Sequence, residues 1–129
     1  MHLTPAAEAL PEGTLVLANT DDVLAQADAV AVAPLVVLQF PKWTDGRAYS
    51  QAVLLRGRLR YAGEIRATGD VVVDMLPLLR RCGFDSAALR ADQSAATAQR
   101  MVDTLPAPFP AHYQGDAVGS RPVFAPQAA

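Results

Sequence analysis

Leu35–Phe40 reads LVVLQF, Pro41–Arg47 reads PKWTDGR, Ala48–Tyr61 reads AYSQAVLLRGRLRY, and Gly63–Asp70 reads GEIRATGD before a run that ends in RRCG at Gly83. LVVLQF is β-branched and almost continuously apolar, the pattern of a strand covered on both faces in a parallel sheet. Ala48, Ala52, Leu55 and Leu59 recur at helical spacing, so the next segment is a helix that buries that stripe. Thr44 or Asp45 can cap its start, and Arg56, Arg58 and Arg60 crowd its last turn, where the negative helix end favours cations. EIRAT then alternates, with Ile65 and Ala67 facing one way and Glu64, Arg66 and Thr68 the other. Gly69 and Asp70 supply the turn and the cap of a second helix, whose core face carries Val72, Met75, Leu79 and Cys82. Pro77 predicts a kink or a late helix start near Leu76. Gly83 predicts a left-handed C-terminal cap, with Phe84 packed back on the last turn.

This is a complete βαβα unit, and its two strands must run parallel. Both polar turns therefore fall at one edge of the sheet, where α/β folds place their sites. Working outward, Thr14–Asn19 has strand composition, and a short helix follows from about Asp22 to Gln26, with turn and cap residues before it. Ser86–Arg90 reads as a further short strand. Asp92 is the expected N-cap of a last helix that carries Ala98, Met101, Val102 and Leu105 on one face. The expected architecture is a single α/β domain: a small, mainly parallel sheet of about four strands with covering helices, Rossmann-like or flavodoxin-like. A partial TIM-barrel-like arrangement is the alternative. Residues 1–13 read as a loose N-terminal arm, 14–113 as the α/β domain and 114–129 as a flexible C-terminal tail. So small a sheet leaves an edge or a face uncovered, which predicts a homodimer.

The chain's 129 residues suffice for one hydrophobic core without covalent staples. A formal net charge of -2 gives no broad attraction for nucleic acid or an anionic membrane, so neither is expected as a partner. Cys82 is the single cysteine, which excludes an internal disulfide and a paired-thiol redox centre. The N-terminus has no signal-peptide pattern, and no stretch approaches the roughly 20 apolar residues of a membrane span. The expected location is the cytoplasm.

The sharpest candidate is an anion site. Lys42, Arg47 and Arg66, with backbone N–H groups near Gly46 and Gly69, suit sulfite, sulfate or phosphate. The plainer alternative is that Asp45 and Asp70 cap the helices and that the arginines pair with Asp45, Glu64 or Asp70. Thr44, Asp45, Glu64 and Asp70 are thus orienting or capping candidates. Acid–base chemistry by the carboxylates is weakened by their neighbouring arginines, which lower a carboxylate pKa. Trp43 and Tyr49 are candidates for a lid or an interface anchor. His2 and His112 have no ligand-spaced partners, so no metal site is expected. There is no dinucleotide fingerprint or P-loop, so no cofactor is evident.

FPKWTDGRAYSQAVLLRGRL and YAGEIRATGDVVVDMLPLLRRCGFD, with PAHYQ more faintly, resemble a small bacterial family of unknown function whose genes often neighbour those for assimilatory sulfite reductase. The resemblance rests on Phe40-Pro41, Thr44-Asp45-Gly46-Arg47, Tyr49-Ser50, the run Gly63, Glu64, Arg66, Ala67, Gly69, Asp70, and Arg81-Cys82-Gly83-Phe84. Trp43 stands where a phenylalanine is usual, and Pro77 where a helix former is. Some members of that family carry the label of oxidoreductases in sulfite reduction, but no catalytic residues come with it. The resemblance implies a role in sulfate or sulfite assimilation; because the chain offers no dinucleotide fingerprint or thiol pair, the expected form of that role is a non-catalytic accessory protein that binds an oxyanion, sulfite reductase or its electron donor at the C-terminal sheet edge carrying Trp43, Arg47 and Arg66. A small enzyme acting on a sulfur-containing or phosphorylated metabolite at the same edge is the alternative.

Overall fold

Alternation along the strands decides which side of the sheet each residue serves, and the computed structural model, which describes residues 1–6 and 8–105, shows where the helices go. Five strands form one parallel sheet in the order β1-β5-β4-β3-β2: β1 His2–Thr4, β2 Leu15–Leu17, β3 Leu35–Phe40, β4 Glu64–Gly69 and β5 Ser86–Ala88. The helices are α1 Ala27–Val32, α2 Arg47–Gly57, α3 Leu76–Cys82 and α4 Ala95–Asp103. Leu35 pairs with Glu64 and Phe40 with Gly69, so β3 and β4 match along their full length at the centre.

All four described helices bury apolar residues against one side of this sheet. Val30, Ala52, Leu55, Leu76, Leu79 and Ala98 join Val36, Leu38, Phe40, Ile65, Ala67 and Ala87 in a single core. The alternate positions, including Val16, Val37, Gln39, Glu64, Arg66, Thr68 and Ser86, face the other side, called here the second face. The steps from β2 through β5 all go one way across the sheet, and right-handed crossovers then put every helix on one side. The return from β1 to β2 runs the opposite way and passes over the second face, where Pro5, Ala6, Glu8 and Leu10 lie against sheet residues.

Four expectations change as a result. The helices among the described residues do not wind on both sides of the sheet, as a Rossmann-like or flavodoxin-like arrangement requires, and the sheet has five strands where about four were expected. His2–Thr4 is no loose arm: it pairs in parallel with Ser86–Ala88, and the following residues strap the second face. Strand identity was hidden because three residues carry too little pattern to read. Both edge strands are only three residues long, which offers little ladder to a second sheet and weakens the edge-based reason for a dimer. The tail expected at 114–129, and His112, lie outside the described residues.

Local chemistry sets the element ends. Pro77 stands in the first turn of α3, preceded by a 3-10 turn at Val73–Met75, so the helix starts late and is not kinked. Gly83 closes α3 at φ 110°, and the Phe84 N–H donates to Leu79 O at 3.0 Å. Phe84 then packs with Phe40 and Tyr49. α2 ends at Gly57, short of the expected Tyr61. Ser94, not Asp92, caps α4 by accepting the Thr97 N–H at 3.1 Å.

Candidate functional site

At the C-terminal edge, three loops meet through carboxylates. Asp70 does not cap the helix after it. One of its oxygens accepts the Trp43 N–H at 2.8 Å, and the other pairs with Arg90 at 2.6 Å. The Val73 N–H finds its acceptor in Gln93 instead, at 2.9 Å. Asp70 thus joins the loop after β3 to the chain leaving β5. Arg90 also pairs with Asp92 at 2.6 Å. The Arg90 hydrogen bond and the Trp43 N–H hold the Asp70 carboxyl below its usual range, and Arg90 does the same for Asp92. Gly69 makes the junction possible: its φ is +99°, and a Cβ there would stand 2.5 Å from Phe40 O.

Asp45 satisfies the start of α2. It accepts the Arg47 N–H at 3.2 Å and the Asn19 side-chain N–H at 2.8 Å, and its oxygen lies 3.2 Å from Arg47 Nε. These bonds, the Arg47 N–H foremost, hold its carboxyl below the usual range. The N-cap position falls on Gly46, whose lack of a capping side chain Asp45 makes good. Lys42, Trp43, Thr44, Gly46 and Arg47 are exposed around this loop. Trp43 is 55% exposed.

The remaining candidates separate. Arg66 is not at the edge with Lys42 and Arg47. It lies mid-strand on the second face, with Nη2 3.0 Å from Glu64, Nη1 3.5 Å from Glu8 and Nε 3.1 Å from Ser86 Oγ. Arg66 stands three residues before the end of β4 at Gly69, and its side chain runs back toward Glu64 rather than forward. Glu64 is pushed up by burial, but bonds from Ser86 and Arg66 outweigh that and leave it lowered. Tyr49 is no lid: its ring packs 5.1 Å from Phe40 and 6.5 Å from Phe84, and burial raises its phenol. Among the described residues no three His, Cys, Asp or Glu side chains are grouped to hold a metal.

Two residues that sequence reasoning passed over matter most to these networks. Arg90 links Asp70 to Asp92, and its only sequence signal was the spacing of two residues to Asp92. Arg56, read as a helix-end cation, crosses the N-terminal edge of the sheet. Its Nε and Nη2 donate to Gly83 O at 3.1 and 2.9 Å, its Nη1 donates to Tyr61 O and Gly63 O at 2.8 Å each, and Nη2 also pairs with Asp85.

Fold and edge chemistry define a small parallel α/β protein with its helices on one side and a side-chain-presenting C-terminal edge. The chain belongs to the family described as bacterial protein of unknown function (DUF934), whose sequence profile matches residues 14–124. No curated protein and no solved structure matches it. No helix among the described residues is long and apolar enough to cross a membrane.

Proposed function

We propose that the protein is a non-catalytic accessory component of assimilatory sulfate or sulfite reduction that docks a pathway protein, sulfite reductase or its electron donor, at the C-terminal sheet edge. The observation that carries the docking reading is Trp43. It is 55% exposed while its own backbone N–H is anchored to Asp70, so its ring is presented on a fixed loop. Exposed, pre-organised tryptophan flanked by cations is the composition of an interface hot spot, and Lys42 and Arg47 suit an acidic partner surface. The pathway rests on the family resemblance of the motifs around this loop. An oxyanion at the α2 start is disfavoured because Asp45, held ionised, already accepts the first helical N–H. Acid–base catalysis at the edge is disfavoured for a related reason: Asp45, Asp70 and Asp92 are all held ionised and make poor proton donors at neutral pH.

Trp43 is the sole tryptophan, so its fluorescence reports the edge directly. Titration with sulfite reductase and, separately, with its electron donor is expected to give a saturable change with one of them. Trp43→Ala, followed by biolayer interferometry, is expected to weaken that binding by roughly tenfold or more. Binding to neither protein, or equal binding by the variant, overturns the reading.

A further inference from the structure

In parallel α/β sheets, ligands bind where neighbouring strands send their following connections to opposite sides of the sheet. Here that condition is met at the β1/β5 pair and not at β3/β4. The chain leaving β1 crosses the second face. The chain leaving β5 goes to the helix side, where Ala98 of α4 enters the core. A groove of about 210 Å³ opens from this point along the second face, walled by Thr4, Pro5 and Ala88 at the junction. At roughly 30 Å³ per water-sized group it has room for a ligand of about seven heavy atoms.

The groove has a charged end and an apolar end. Arg66, only 6% exposed, lines it. A guanidinium has five N–H donors, and the described residues accept from Nε, Nη1 and Nη2 once each. The three acceptors are unequal. Glu64 is gripped at 3.0 Å by Arg66 and at 2.6 Å by Ser86 Oγ, whereas Glu8 stands at 3.5 Å, the limit of a hydrogen bond, with its side chain 40% exposed. Thr4 Oγ1, also in the groove wall, is buried and has no hydrogen-bond partner among the described residues. At the other end Leu10 and Val16, each 43% exposed, flank a buried Val37.

We propose that this groove binds a small monocarboxylate with a short apolar tail, its carboxylate replacing Glu8 on Arg66 and its tail resting against Leu10, Val16 and Val37. With Glu64 and Glu8 both facing Arg66, the cluster carries a net charge of -1, so an additional anion is repelled. Exchanging Glu8 for a ligand carboxylate leaves that charge unchanged and improves a marginal bond. The Thr4 hydroxyl supplies a further donor. The strap residue Glu8 is therefore an internal stand-in for the ligand.

The test is an NMR titration of the full chain with butyrate and with butyramide, its uncharged analogue. Butyrate is expected to shift the Thr4, Val16 and Val37 amides saturably, and butyramide to bind at least tenfold more weakly. Glu8→Ala removes the competitor and is expected to tighten butyrate binding about three- to tenfold. Arg66→Met should abolish binding. Because that variant also removes a partner of Glu64, Val16→Phe serves as the second probe: it fills the groove from an exposed position and should abolish binding with an unchanged thermal midpoint. Equal binding of the two probes, no saturable shift in wild type and Glu8→Ala, or full binding by Val16→Phe overturns the proposal.

Discussion

Arg56 and Arg66 are both withdrawn from water, with side chains 13% and 8% exposed. They differ in what they face. Arg56 places all five N–H donors on acceptors, most of them backbone carbonyls of the turns entering β4 and β5, and its guanidinium also lies 5.8 Å from the Tyr61 ring centre. Arg66 faces two partly exposed carboxylates and a hydroxyl, and two of its donors have no acceptor among the described residues. A guanidinium saturated by carbonyls has no chemistry left to offer, because those carbonyls cannot be exchanged for a ligand without opening the chain. One held by side chains at the rim of a groove can change partners. The lesson is that burial of a charge does not mark a site; unspent and exchangeable donors do.

The comparison breaks most sharply at Arg56. Arg56→Met strands the carbonyls of Tyr61, Gly63 and Gly83 at a crowded edge, and is expected to lower stability by about 3–5 kcal/mol, read by urea denaturation. A loss below about 1 kcal/mol would show that water replaces the arginine freely, and the contrast with Arg66 would collapse. Arg66→Met is expected to cost less, about 1–2 kcal/mol in the same measurement, because Glu8 and Glu64, at 40% and 36% side-chain exposure, can rehydrate.

The smallest effect is electrostatic. Glu64, Asp45, Asp70 and Asp92 have folded-state values below their ordinary ones. A lowered carboxyl contributes stability above its unfolded value and loses it as pH falls through the folded one. Thermal midpoints are therefore expected to be flat above about pH 5 and to decline below it. Asp70→Asn should reduce the depth of that decline and, by loosening the Trp43 loop, change the tryptophan fluorescence. An unchanged acid profile in Asp70→Asn would remove Asp70 from the account of the edge.

Much of the fold is legible in local chemistry. LVVLQF is a strand at Leu35–Phe40 because its composition permits little else, and Pro77 and Gly83 bracket α3 because one lacks an N–H and the other tolerates positive φ. EIRAT showed its two-sided alternation, with Glu64, Arg66 and Thr68 set against Ile65 and Ala67, but not that helices leave the polar side uncovered. The candidate site was legible only in part. Trp43, Asp45 and Asp70 do lie at one edge, as a parallel βαβα unit demands, but the partners Asn19 and Arg90 come from segments 26 and 20 residues away, which no local pattern links.

The sequence by itself determined the parallel βα order, the central strands, the two ends of α3 and the absence of paired cysteines, because each follows from propensity, periodicity or residue count within a short window. The tertiary structure alone decided that His2–Thr4 pairs with β5, that Arg66 faces the second side and not the edge, and that Arg56 is a clamp. Those outcomes depend on which distant backbone groups need a partner once the sheet has closed ranks, a balance of hydrogen-bond satisfaction that is settled only when all five strands are in place.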